Sequence, residues 1–127
     1  MHTRLQSALK FLEIRPGDAK RVLGVAPRTL RSYLSGAVIP PTSFWLALAR
    51  ASAGRGRPIS LDYLLMGGTR NAVDIRLLND AGQTRGFVPV SGEWLDSWGM
   101  TPDSAALVII NGNAMEPEYF HGDLVLL

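Results

Sequence analysis

The sequence predicts an α+β chain in which five short helices are followed by a linker and a second, mostly β part. Three observations predict this class: apolar residues recur at helical spacing up to residue 66, short β-like runs follow residue 72, and the two regions carry opposite charge. At 127 residues the chain has room for one ordinary domain or two small ones. We expect a helical domain over 1–67, a linker over 68–86 and a second domain over 87–127.

Cap and turn residues divide the helical region into five elements. Thr3 to Gln6 has the form of a capping box ahead of the first helix, and Pro27 suits the first position of the third. Ser60 can cap the last helix, which Gly67 then ends. The first helix is predicted to follow Thr3, and the others to span 18–23, 28–34, 43–52 and 61–66.

Charge and composition narrow the classes of function. Residues 1–58 hold ten basic and two acidic side chains, whereas residues 59–127 hold three and nine. A basic first half favours a polyanionic partner, although a solvated basic face is the alternative. With no cysteine and only His2 and His121, we expect no disulfide, metal or cofactor. The apolar runs are far shorter than the roughly 20 residues of a bilayer span, so we expect a cytoplasmic protein with no membrane partner.

Residues 19–33 have the pattern of two helices joined by a tight turn. Gly24 supplies the left-handed turn, and one face of the pair is apolar. The other face of the second helix carries arginine forks, which can read guanine, and short hydroxyls, which can reach bases or phosphates. The residues predicted to face inward are Ala19, Leu23, Val25, Leu30 and Tyr33. The candidate DNA-binding residues are Lys20, Pro27, Arg28, Thr29, Arg31 and Ser32.

Over residues 5–67 the sequence resembles the lambda-repressor-like (XRE) helix-turn-helix family. The likeness includes the turn 23–25, the segment 29–36 and the segment 61–67. It implies an all-α five-helix domain whose third helix enters the major groove of double-stranded operator DNA. Two positions depart from the family pattern: Lys20 replaces a small alanine, and Ala26 replaces the usual serine cap.

The second region begins after a small, polar segment at 67–71 and contains the β-like runs 73–78, 87–90, 106–110 and 124–127. Trp94, Leu95 and Trp98 fit one face of a helical turn, and we interpret them as core packing rather than as a ligand site.

The last segment resembles the catalytic signature of the LexA-like self-cleaving repressors. The matching positions are Gly112, Met115, Pro117, Gly122 and Asp123. The resemblance implies a regulatory domain that supports a homodimer or higher oligomer and whose cleavage a RecA filament stimulates. Because the sequence stops inside an apolar strand, we expect only the front part of that domain.

Two departures from this signature remove its chemistry. The family's nucleophilic serine falls on Ala114, and the family's downstream lysine base is absent, since the lysines are Lys10 and Lys20. Ala114 is either a deliberate substitution or a natural loss. The family cuts an Ala-Gly bond upstream of the serine, and the resemblance places the candidate cleavage site at Ala81 and Gly82.

The expected function is a sequence-specific DNA-binding repressor of phage or SOS-type regulation that cannot cleave itself, and therefore is not an enzyme. One alternative is a self-processing serine peptidase in the parent protein. Another is an antitoxin-like interaction module, against which the basic Arg28 and Arg31 argue.

Overall fold

The structure is a computed structural model that describes residues 2–67, 72–110 and 124–127. These ranges hold a short 3-10 helix at Pro16–Asp18. The α-helices are α1 (His2–Leu12), α2 (Ala19–Leu23), α3 (Pro27–Leu34), α4 (Thr42–Gly54), α5 (Leu61–Met66) and α6 (Gly92–Ser97). The strands are β1 (Val73–Asn79), β2 (Thr84–Val90), β3 (Ala106–Ile109) and β4 (Leu124–Leu126).

The helix boundaries follow local cap chemistry at most positions. Pro27 is the first residue of α3, and the Ser60 hydroxyl accepts a hydrogen bond from the backbone N–H of Tyr63 at 3.3 Å, so both predictions are confirmed. Gly67 ends α5 in the left-handed conformation, at φ +79°. The predicted capping box at Thr3 is wrong, because α1 begins at His2 and Thr3 lies inside its first turn.

The four strands form one mixed sheet in the order β2-β1-β3-β4. A tight hairpin joins the antiparallel strands β1 and β2. Strand β3 runs parallel to β1, which requires a crossover connection, and α6 lies in that connection. Strand β4 pairs antiparallel with β3. The four predicted β-like runs therefore all form strands, and β1 lies within the segment that the sequence assigned to the linker.

One face of the sheet packs against the helices. Its side chains alternate along the strands, so Ile75 of β1 lies opposite Val88 of β2, and Leu77 and Val90 are buried on the same face. Helices α4 and α5 pack against β2, and Trp45 of α4 is 1% exposed. The buried residues of the helices and of the sheet form a single hydrophobic cluster.

This shared core corrects the predicted fold class. The chain is not a five-helix helix-turn-helix domain followed by a separate β domain: it has six α-helices and a four-stranded mixed sheet in the described ranges. The periodicity of α4 and α5 shows that these helices are buried, but it does not show what buries them. Their partner is β2, and α6 adds a helix within the β part.

The aromatic turn at α6 is only partly a core feature. Leu95 is fully buried and Trp94 packs at the edge of the core, whereas Trp98 is 64% exposed. Core packing therefore explains two of the three residues that the sequence grouped together. In the part of the chain that the structure describes, no helix has the length and hydropathy needed to cross a bilayer.

Candidate nucleic-acid interface

The turn between α2 and α3 is built around Gly24. Its φ of +74° is left-handed, and its N–H donates to the carbonyl oxygens of Ala19 and Lys20. Ala26 is extended and Pro27 opens α3 directly after it. The chain therefore turns sharply between the two helices, as the sequence predicts.

The inner face of α3 is fixed by the core. Leu30 is fully buried, and the Tyr33 ring meets the Phe44 ring edge to face with centroids 4.8 Å apart. Gln6 of α1 donates a hydrogen bond from Nε2 to the carbonyl oxygen of Leu34 at 3.1 Å, which satisfies a free carbonyl at the end of α3. All of the residues predicted to face inward are buried or half-buried.

The outer face of α3 carries the predicted DNA-binding side chains. Arg28 and Arg31 are exposed, whereas Pro27, Thr29 and Ser32 are half-buried. The Ser32 hydroxyl donates to the carbonyl oxygen of Arg28 at 3.2 Å. The structure thus brings these five residues together on one short helix, with Leu30 and Tyr33 on the side opposite Arg28 and Arg31.

Lys20 lies exposed on α2, next to this helix in the two-helix unit. Within the described ranges, no hydrogen bond or ion pair engages the side chains of Lys20, Arg28 or Arg31. We call these three residues the cationic face. Their charges are exposed and uncompensated, so they are available to an anionic partner.

Other arginines of the basic region 1–58 form hydrogen bonds within the fold instead. Arg4 donates to the carbonyl oxygens of Leu64 and Leu65, at 3.5 and 3.3 Å, and so caps the end of α5. Arg50 donates to the carbonyl oxygen of Arg85 on β2 at 3.0 Å, which ties α4 to the sheet.

Two more arginines hold the end of α1. Arg55 donates to the carbonyl oxygen of Leu12 at 3.3 Å, and Arg57 donates to that of Phe11 at 2.8 Å. The Arg57 guanidinium also lies over the Phe11 ring, 5.6 Å from its centroid. The structural roles of Arg4, Arg50, Arg55 and Arg57 could not be predicted from the sequence, because each of their hydrogen bonds joins residues far apart in the chain.

Asp18 pairs with the basic side chain that lies one turn away. Arg21 donates to its Oδ1 at 3.1 Å, and the backbone N–H of Arg15 donates to its Oδ2 at 3.3 Å. The backbone hydrogen bond from Arg15, followed by the hydrogen bond from Arg21, lowers the pKa of Asp18 from its ordinary 3.8. Arg21 therefore does not contribute to the cationic face.

The candidate cleavage residues lie apart from this surface. Ala81 and Gly82 are exposed in the β1–β2 turn, where Gly82 has a φ of +80°. The Asn79 side chain holds the turn, since its Oδ1 accepts from the N–H groups of Ala81 and Gln83 at 3.0 and 2.9 Å. The position of the family's nucleophile, Ala114, lies outside the described residues.

Two further kinds of candidate site in the described ranges are groups of metal-ligating side chains and an apolar groove. These ranges contain no group of three or more histidine, cysteine or carboxylate side chains that could hold a metal ion. An apolar groove of about 610 Å³ separates α5 and α6 from β3 and β4. The side chains described along it are apolar apart from Thr42, so they offer no acid, base or nucleophile pair.

Comparison with protein-family models, with curated proteins and with solved structures finds no match to this chain.

Proposed function

We propose that this chain binds double-stranded DNA in a sequence-dependent manner through the outer face of α3, and that it represses transcription by occupying its operator. One observation carries the proposal: the cationic face of Lys20, Arg28 and Arg31 is unpaired, while other arginines of the same half are bonded to backbone carbonyls. If these three charges stabilised the fold, we would expect their side chains to have hydrogen-bond or ion-pair partners within it.

The dimensions of α3 suit the major groove. An eight-residue helix is about 12 Å long, and a helix with its side chains is about as wide as the groove. Arg28 and Arg31 would reach base edges in this arrangement, because they are exposed on the side of α3 that faces away from the core. A guanidinium fork can pair with both O6 and N7 of guanine. Lys20 is a point charge and suits a backbone phosphate.

The rigid support of α3 favours selective binding over loose electrostatic attraction. Leu30 and Tyr33 are held in the core, so the direction of the helix is fixed before DNA arrives. A reading surface that is already oriented avoids the cost of ordering on binding. Phosphate contacts would supply the salt-dependent part of the affinity, and the two arginines would supply the choice of sequence.

The remaining parts of the proposal concern assembly and regulation. We propose a homodimer on DNA, in which two copies of α3 read half-sites about one helical turn apart. Because Ala114 has no hydroxyl group, we propose no peptidase activity for this chain. A RecA filament would act only on a relative with serine at this position. The proposed ligand implies action at the bacterial nucleoid.

Selection from a random duplex library tests the proposal directly. The purified chain is incubated with the library at two salt concentrations, and the retained DNA is sequenced. We expect an enriched motif that persists at the higher salt, and an inverted repeat if two copies bind together. The matched control is the double variant Arg28→Ala/Arg31→Ala, which should retain no motif. Retention without any enriched sequence in the unmodified chain, or retention that disappears as salt rises, would contradict the proposal.

A further inference from the structure

We propose that Ser32 is a specificity-determining residue that accepts a hydrogen bond from a base, and that it selects adenine or cytosine on the DNA strand facing α3. This inference rests on the proposed function and deepens it, because it assigns a chemical preference to one position of the operator beside the guanines that Arg28 and Arg31 would read.

The preference follows from the hydrogen bond that Ser32 already makes. A hydroxyl group has one proton to donate and two lone pairs that accept. The Ser32 proton is donated to the carbonyl oxygen of Arg28 at 3.2 Å, a bond to the preceding turn that serine often makes within helices. Its lone pairs are therefore the part of the group that remains for a ligand.

Ser32 lies on the part of α3 that would face the bases. At 3.6 residues per turn, it is about 40° around the helix from Arg28 and about 6 Å further along the axis. Arg31 lies about 60° from Arg28 on the other side. The serine and the two arginines thus share one outer arc, opposite the buried Leu30.

An acceptor distinguishes bases by their major-groove edges. Adenine presents the N6 amino group there and cytosine presents the N4 amino group, and both donate. Guanine presents O6 and N7, and thymine presents O4, all of which only accept. Two acceptors in contact repel, so guanine and thymine are disfavoured on the strand that Ser32 faces. Phosphate oxygens also only accept, which argues against a backbone contact for this residue.

Ser35 provides a matched control at the end of the same helix. Its hydroxyl donates to the carbonyl oxygen of Ser32 at 3.1 Å and accepts from the N–H of Ala37 at 3.4 Å. Although Ser35 is exposed, its hydroxyl already donates one hydrogen bond and accepts another within the turn that ends α3. We therefore expect no contribution of Ser35 to base preference.

The experiment measures the affinity of the full chain for four duplexes at fixed salt. Each duplex carries the motif selected from the library, in which Arg28 and Arg31 are proposed to read guanines. The four duplexes differ only at the position next to these guanines, which is adenine, cytosine, guanine or thymine. We expect adenine and cytosine to bind about 2- to 10-fold more tightly than guanine and thymine, which is the range of one net hydrogen bond. Ser32→Ala should remove this difference, Ser32→Thr should keep it, and Ser35→Ala should leave it unchanged. Unchanged thermal midpoints establish that each variant is folded.

Other outcomes separate the inference from the proposed function. If Ser32→Ala weakens all four duplexes equally, Ser32 donates to a phosphate and the inference is wrong, while DNA binding stands. A preference of the unmodified chain for guanine or thymine at this position overturns it in the same way. If the library yields no enriched sequence at all, the proposed function fails and the inference fails with it.

Discussion

The carboxylate of Asp62 on α5 accepts two hydrogen bonds from Ser91, the residue that precedes α6. Its Oδ1 lies 2.7 Å from the backbone nitrogen of Ser91, and its Oδ2 lies 2.6 Å from the serine hydroxyl. Both residues are at most 2% exposed. The Ser91 hydroxyl in turn accepts from the N–H of Trp94 at 3.1 Å and caps α6. One buried pair thus joins the helical part of the chain to the β part.

We expect Asp62→Ala to lower the free energy of unfolding by about 3 kcal/mol, because it leaves two donors of Ser91 buried without an acceptor. Urea unfolding followed by tryptophan fluorescence measures the change. The control is Asp96→Ala on α6, an exposed aspartate whose loss should cost less than about 0.5 kcal/mol. Equal effects of the two substitutions would show that the Asp62–Ser91 pair does not stabilise the fold.

We expect substitution by alanine to affect stability differently at Gly24, in the left-handed turn before α3, and at Gly17. Gly24 has a φ of +74°, and a Cβ added there would meet nothing within 4 Å, so the cost of Gly24→Ala is conformational. We expect this cost to be about 1 kcal/mol. Gly17 also has open space but no positive φ, and Gly17→Ala should be neutral or slightly stabilising. Thermal unfolding of both variants tests the difference, and a loss at Gly17 as large as that at Gly24 would contradict it.

Replacing a residue of the cationic face and replacing an arginine that is bonded within the fold should have opposite effects on DNA binding and stability. Lys20→Ala should leave the thermal midpoint unchanged but reduce the salt slope of DNA binding by about 1, since one phosphate contact is lost. Arg57→Ala should lower the thermal midpoint, because the bond to the Phe11 carbonyl and the contact with its ring disappear, and should leave the salt slope unchanged. Fluorescence anisotropy over a salt series, together with thermal unfolding, measures both. If either substitution changed both the thermal midpoint and the salt slope, the separation of DNA-binding from fold-stabilising basic residues would be wrong.

Asp18 predicts a pH dependence of stability. Its pKa in the folded chain is lower than in the unfolded chain, so the unfolded state binds the proton first as pH falls. The stabilisation is present above the unfolded value of about 3.8 and is lost as pH falls through the folded value. The unmodified chain should therefore be more stable than Asp18→Asn at pH 6, and the difference should shrink at pH 3. Urea midpoints at the two pH values test this, and an equal difference at both would contradict it.

We expect the Asn79 side chain to protect the β1–β2 turn from proteolysis. Asn79→Ala removes the acceptor that holds the N–H groups of Ala81 and Gln83, so the turn should open and the 79–83 segment should be cut faster by a nonspecific protease. Asp80→Ala, a change at an exposed neighbour, is the control. Mass spectrometry of the fragments identifies the cut, and equal rates for the two variants would show that Asn79 does not restrain the turn.

The sequence by itself determined the local elements of this protein. Pro27, Ser60 and Gly67 mark helix ends through their own backbone and cap chemistry, and the alternating apolar residues of β1 and β2 predict strands. The outer position of Arg28 and Arg31 on α3 could also be predicted, since it requires only helical spacing. These features depend on residues near each other in the chain, which is why a single sequence contains them.

Only the tertiary structure decided which surfaces meet and which charges remain free. That α4 and α5 pack on β2, and that Asp62 bonds to Ser91, depends on contacts between residues far apart in the chain, which local periodicity does not specify. The same holds for the basic side chains: Arg50 is tied to β2 and Arg57 to α1, while Arg28 and Arg31 are left exposed. The sequence supplied the charge of the candidate interface and the helix that carries it, and the long-range packing decided which other arginines are bonded within the fold.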